Sequence, residues 1–156
     1  ISLGLPPLRP LALAALSPAI VHFPIALFIT AFILQVFHIW RPYWICRTTS
    51  MWLLGFGVLT SFGAMLSGKQ EAIKIGEGGY SLDVLKAIQN HELIAEITTW
   101  SSLIIFMVWL YLFFKYMDDT QIDKLALAFL GLLSLSVAVT SYFGGALVYF
   151  HSLGIR

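Results

Sequence analysis

The chain predicts an all-α fold, a four-helix transmembrane bundle, and three observations predict it. Of its 156 residues 59% are apolar and only 11% are charged, with a mean hydropathy of +0.87, outside the range of soluble domains. Four runs, about 18–40, 49–67, 94–115 and 124–150, reach the roughly 20 apolar residues that a helix needs to cross a bilayer core. Those runs take up most of the chain, so residues 1–156 form a single integral membrane domain with few residues left for a soluble one. A net charge of +1 with no basic stripe gives no sign of a nucleic-acid partner. The lone Cys46 excludes an intrachain disulfide.

Each element has a local reason. Residues 1–16 carry Pro6, Pro7 and Pro10, which disfavour a regular helix and place this stretch at the interface. The apolar stretch 11–16 is short and lacks a basic flank, so no signal peptide is expected. Span one starts with Ser17 as N-cap and Pro18 at the first helical position. Pro24 removes one backbone hydrogen bond and should bend the helix near His22. The span closes on His38, Trp40, Arg41, Tyr43 and Trp44, an aromatic and basic belt of the kind found at a bilayer interface.

Span two is rich in small residues, Gly55, Gly57, Gly63, Ala64, Ser67 and Gly68, which let helices approach closely in lipid. Beyond it the chain turns polar, breaks at 76–79 and enters a short amphipathic segment, 81–89, expected as an interfacial helix between spans two and three. After span three, residues 116–123 read as a tight turn in which Asp118, Asp119 and Asp123 are solvated. Span four ends in a Gly144-Gly145 pair followed by Tyr149-Phe150-His151.

Alternation of the spans puts His22, His91 and His151 at one end of the bundle, within one interfacial band. His38, sixteen residues past His22, falls about 24 Å away at the opposite end, with no histidine partner there. One cofactor site is therefore the most that these histidines support. Residues at i, i+4 and i+7 share a helix face. His22 is followed on its face by Ala26 and Thr30, and His91 by Ala95 and Ser102. His151 is preceded by Leu147, Gly144 and Thr140. Small side chains beneath imidazoles leave room for a flat macrocycle, and haem iron takes axial histidines.

In an up-down-up-down bundle helices one and three are diagonal, which favours His22 and His91 as ligands of a haem b iron. His151 then becomes a supporting donor or alternative ligand. Each histidine also has a plainer reading, as a helix anchor at the headgroups or a partner for a terminal carbonyl. The same small residues form an ordinary packing seam. Copper or zinc fits less well, because no cysteine lies near the histidines. Glu96, inside the third apolar run and one turn from Glu92, reads either as a hydrated carboxylate or as a proton or quinone contact.

Beyond these residues, a resemblance covers the whole chain. The run Ser17-Pro18-Ala19-Ile20-Val21-His22-Phe23-Pro24-Ile25-Ala26-Leu27 resembles the opening motif His-Pro-x-x-Val-His-Phe-Pro-Ile-Ala-Leu of a bacterial membrane family, domain of unknown function 2231. The run Gly144-Gly145-Ala146-Leu147-Val148-Tyr149-Phe150-His151 is similar to that family's Gly-Gly-x-Leu-Val-Tyr-x-His ending. Ala64-Met65-Leu66-Ser67-Gly68 and His91 fall where the family has a small-residue turn and a third-helix histidine. Two positions depart: Ser17 replaces the family's first histidine, and Ser152 the glycine that usually follows the last one. The resemblance implies the four-helix fold. Relatives joined to cytochrome c-like domains imply a redox setting on the outer face.

The sequence thus leads to a haem b-binding, electron-transfer subunit of a respiratory or photosynthetic membrane complex, carrying charge without bond-breaking chemistry. Its partners would be the lipid bilayer, other membrane subunits and a periplasmic cytochrome c. Basic residues near the far ends of the helices (Arg41, Arg47, Lys115, Lys124) favour that side as cytoplasmic. The histidines then face the periplasm across a bacterial inner membrane. The alternatives are a cofactor-free structural subunit of a larger complex, or a quinone-binding subunit using His151 and Glu96.

Overall fold

The computed structural model describes residues 11–117 and 119–151, with side-chain surroundings for 20–117 and 119–146. Among them are four helices and no strand: α1 (Leu11–Trp40), α2 (Trp44–Gly76), α3 (Leu82–Lys115) and α4 (Thr120–His151). All four are long and apolar enough to cross a membrane. Each helix packs on its neighbours in sequence and α1 closes the ring against α4, so α1 and α3 stand diagonally.

Several helices extend past the apolar runs that announce them. α1 begins at Leu11 and runs through Ser17 and Pro18, so Ser17 is not its N-cap and 11–16 are not irregular. α2 continues nine residues past Ser67, to Gly76. The added stretch holds Lys69, Gln70, Glu71, Ala72 and Lys74, residues that sit well in a helix outside lipid. The expected separate interfacial helix is absent among the described residues; 82–89 form the opening turns of an unbroken α3. Hydropathy marks where the chain crosses the bilayer, and the backbone hydrogen bonding of a helix has no reason to stop there. The break at 76–79 is a true turn, with Gly79 at φ +71, a conformation that glycine tolerates. Val84 then packs on Ile75, Ala87 and Ile88, closing α2 and α3 into a hairpin.

The core is one stripe from each helix: Phe28 and Ala31; Met51, Leu54 and Val58; Trp109 and Phe113; Ala126, Leu130, Leu133 and Val137. Their three- and four-residue spacing is that of a bundle seam. Large apolar side chains such as Phe23, Trp52, Leu59, Trp100, Ile104 and Phe114 are exposed, facing outward where lipid tails would cover them.

Small residues set the helix separations by receiving rings from adjacent helices. A Cβ on Gly57 would come within 2.4 Å of the Phe28 ring, one on Gly55 within 3.0 Å of Phe106 and one on Gly131 within 3.3 Å of Phe32. Hydroxyls add interhelical bonds, Ser50 Oγ donating to the Ala31 carbonyl at 2.7 Å and Thr98 Oγ1 hydrogen-bonding with Ser136 Oγ at 2.6 Å. Gly57→Ala should cost about 1–3 kcal/mol by overpacking against Phe28. Gly63→Ala, where nothing lies within 4 Å, should be nearly silent. Unfolding of both variants in bicelles checks the pair.

Candidate functional site

Two polar clusters mark the two ends of the bundle. The first was not expected to be a cluster. Arg47, on the first turn of α2, is 2% exposed and points between the helices. Its Nε lies 2.6 Å from Asp123 Oδ1 and its Nη1 donates to the Met117 carbonyl. Its guanidinium rests 4.5 Å above the Phe113 ring. From α1, His38 Nε2 meets Asp123 Oδ2 at 3.2 Å and Nδ1 meets the Tyr43 carbonyl at 3.1 Å. Both ring nitrogens thus meet oxygens, one on the link after α1 and one on α4. Gln35, fully buried, donates its Nε2 to the Asp123 carbonyl at 3.1 Å.

Asp123 is therefore not part of a solvated turn. Asp119 fills that role, its Oδ1 accepting from the Gln121 amide at 2.8 Å at the start of α4. Asp123 lies one turn further in, on the face that carries Ala126 and Leu130 into the core. A lone buried carboxylate or guanidinium at a membrane boundary is costly. The ion pair and the bond to the Met117 carbonyl offset part of that cost, while Arg47 Nη2 is buried without a hydrogen-bond partner.

The second cluster holds the residues singled out from sequence. His91 is half-buried and seated on Gly144 of α4, whose Cβ, if present, would lie 3.1 Å from Cε1 of the imidazole. The ring also lies against the Thr140 backbone carbonyl, while its Nδ1 is buried without a hydrogen-bond partner. Below it Ala95 is half-buried and Ser102 wholly buried. The small-residue face under His91 is thus real, and at Gly144 it is filled by the imidazole itself, as Gly57 is filled by Phe28. On the next face of α3, Glu96 forms an ion pair with Lys69 of α2. This carboxylate is neither buried alone nor turned toward His91.

His22, Ala26 and Thr30 do share one face of α1, and that face is exposed. The inward stripe of α1 runs instead through Pro24, Phe28, Ala31, Gln35 and His38. His151 belongs to α4, and its side chain lies outside the described residues. Heights follow by counting along the helices from the His38–Asp123 contact at about 1.5 Å per residue. His22 stands sixteen residues away and Gly144, with His91 on it, twenty-one, which are heights of about 24 and 31 Å. His151, twenty-eight residues from Asp123, stands at about 42 Å. The three histidines share an end of the bundle but not a level. Among the described residues no group of three His, Cys, Asp or Glu side chains is placed to hold a metal ion.

From residue 14 to residue 156 the chain matches the model of one family, domain of unknown function 2231, described as a predicted membrane protein. No curated protein and no solved structure matches it. Gly144→Leu should unseat His91 and part α3 from α4, lowering stability by about 1–3 kcal/mol. His91→Ala in the Gly144→Leu background should recover much of that loss, as unfolding of the single and double variants would show.

Proposed function

We propose, for a chain that belongs to the predicted-membrane-protein family of unknown function 2231, the role of a structural subunit that docks a partner at its histidine end. The observation that supports this reading is the α2–α3 hairpin. Arg47 contacts Phe113 at the far end; from there α2 runs twenty-nine residues to Gly76 and α3 extends back thirty-one to Leu82. Those lengths are about 44 and 46 Å, whereas the hydrocarbon core is about 30 Å and the headgroups add only about 6 Å on each side. The hairpin tip therefore stands in water. It nevertheless exposes Ile73 (65%), Tyr80 (46%) and Leu82 (75%) among the charged Lys74, Glu77, Asp83 and Lys86, apolar side chains of the kind a partner would cover. The natural occupant is the extramembrane part of another membrane subunit, in a bacterial inner membrane with this end outward.

A second reading, haem b binding with electron transfer, is favoured by the buried, unpartnered Nδ1 of His91. Trp109 Nε1 and Ser134 Oγ share that state, but among these groups only the imidazole nitrogen can ligate a haem iron. A ring clamped between His22 and His91 does not fit the packing, because the two differ by about 7 Å in height and His22 lies on an exposed face. The second ligand would have to be another group, with His151 the candidate that the sequence offers. Haem held there would supply one-electron transfer, with a quinone or a periplasmic cytochrome c as the exchange partner.

One preparation tests both readings. The complex extracted from native membranes should be larger than the bundle, and Ile73→Glu with Leu82→Glu should release the bundle intact with its helicity unchanged. A complex whose size and composition survive both changes would reject the docking role. A reduced-minus-oxidised difference spectrum of the same material that is lost on His91→Ala would establish the second reading; a flat spectrum in the intact complex would reject it.

A further inference from the structure

A shallow, open face on the outer side of α3, near the far end of the bundle, joins apolar surface to a cation. It is formed by Met107, Leu110, Tyr111, Phe114 and Lys115, residues spaced along one side of the helix. Four of the five present apolar or aromatic surface, and Met107, Tyr111 and Phe114 are more than half exposed. The face ends at Lys115, two residues past Phe113, which touches Arg47. Its apolar part therefore lies at acyl-chain depth and its cation at the level where lipid phosphates begin.

Lys115, like Arg41, Lys86 and Lys124, stands outside the ion pairs found among the described residues. Arg47 is paired with Asp123, Lys69 with Glu96 and Lys74 with Glu71. Among the described residues Lys115 meets no carboxylate. Its Nζ instead donates to the Tyr111 hydroxyl at 2.9 Å and lies 5.3 Å from the ring centroids of both Tyr111 and Tyr116. Two aromatic rings and a phenol hold the ammonium at the end of an apolar face without neutralising it.

We propose that this face binds one anionic phospholipid of the far-face leaflet, an acyl chain lying along Met107, Leu110 and Phe114 and the phosphate on Lys115. Charge complementarity supports this: an apolar face ends at a cation that two tyrosines orient and that meets no carboxylate among the described residues. A zwitterionic lipid covers the same face but brings its own cation to the Lys115 end, so the site should discriminate headgroups.

Native mass spectrometry of the purified, delipidated full chain tests this with phosphatidylglycerol and phosphatidylcholine of identical chains. One phosphatidylglycerol should be retained in preference. Lys115→Gln should weaken it about fivefold, the contribution of one basic residue at a lipid surface, and bring it level with phosphatidylcholine. Lys115→Arg should keep the preference. Lys124→Gln, which removes an exposed cation outside this face, should leave it unchanged. Equal retention of the two lipids by the wild type would overturn the proposal. So would a loss as large on Lys124→Gln as on Lys115→Gln, which would mean surface charge alone.

Discussion

The buried contact of Arg47 with Asp123 is the constraint around which the rest of the bundle is arranged. Neither group is stable alone at the edge of a bilayer, and together they require α2 and α4 to meet at one height. His38 and Gln35 bring α1 to the same point, one through the carboxylate and one through the carbonyl of Asp123. The Met117 carbonyl, taken by Arg47, fixes the link from α3 to α4. All four helices are thus registered at this end, and their heights elsewhere follow from the pitch of the helix. The spread of the histidines and the reach of the α2–α3 hairpin are consequences of that register.

Above this lock, close approach takes over from charge. Lipid tails are as apolar as the core, so apolarity alone does not drive the helices together; packing and hydrogen bonds must do so. Glycines on α2 and α4 receive phenyl rings from their neighbours, and Gly144 receives the imidazole of His91 in the same manner. The one difference is chemical. A phenyl ring asks for nothing further, whereas His91 retains a nitrogen with an unmet hydrogen bond. That contrast is why a packing residue at this position still invites a ligand.

The fold was legible because the signal for it is long: four apolar runs with a polar break, and a diagonal relation of helices one and three that follows from alternation. The helix ends were less so, since Lys69 to Lys74 and the segment after Leu82 are polar yet helical. Asp123 reads as loop in the sequence because Asp118 and Asp119 precede it by about one turn and Lys124 follows it. The clue was its spacing: 123, 126, 130, 133 and 137 form one seam on α4, as 28, 31, 35 and 38 do on α1. The same spacing would have put His91 inward, with Ala95, Thr98 and Ser102, and left His22 two residues before the Pro24 stripe. What no single helix reveals is partnership. His38 and Asp123 are eighty-five residues apart, and only the closed ring brings them together.

The most direct measurement is a double-mutant cycle on Arg47→Met and Asp123→Leu, read by reversible unfolding in bicelles. Each single change strands a charge and should cost about 3–5 kcal/mol, while the double, with both charges gone, should recover most of that loss. Losses that simply add, or singles that each cost under about 1 kcal/mol as exposed pairs do, would show that the bundle does not depend on this contact.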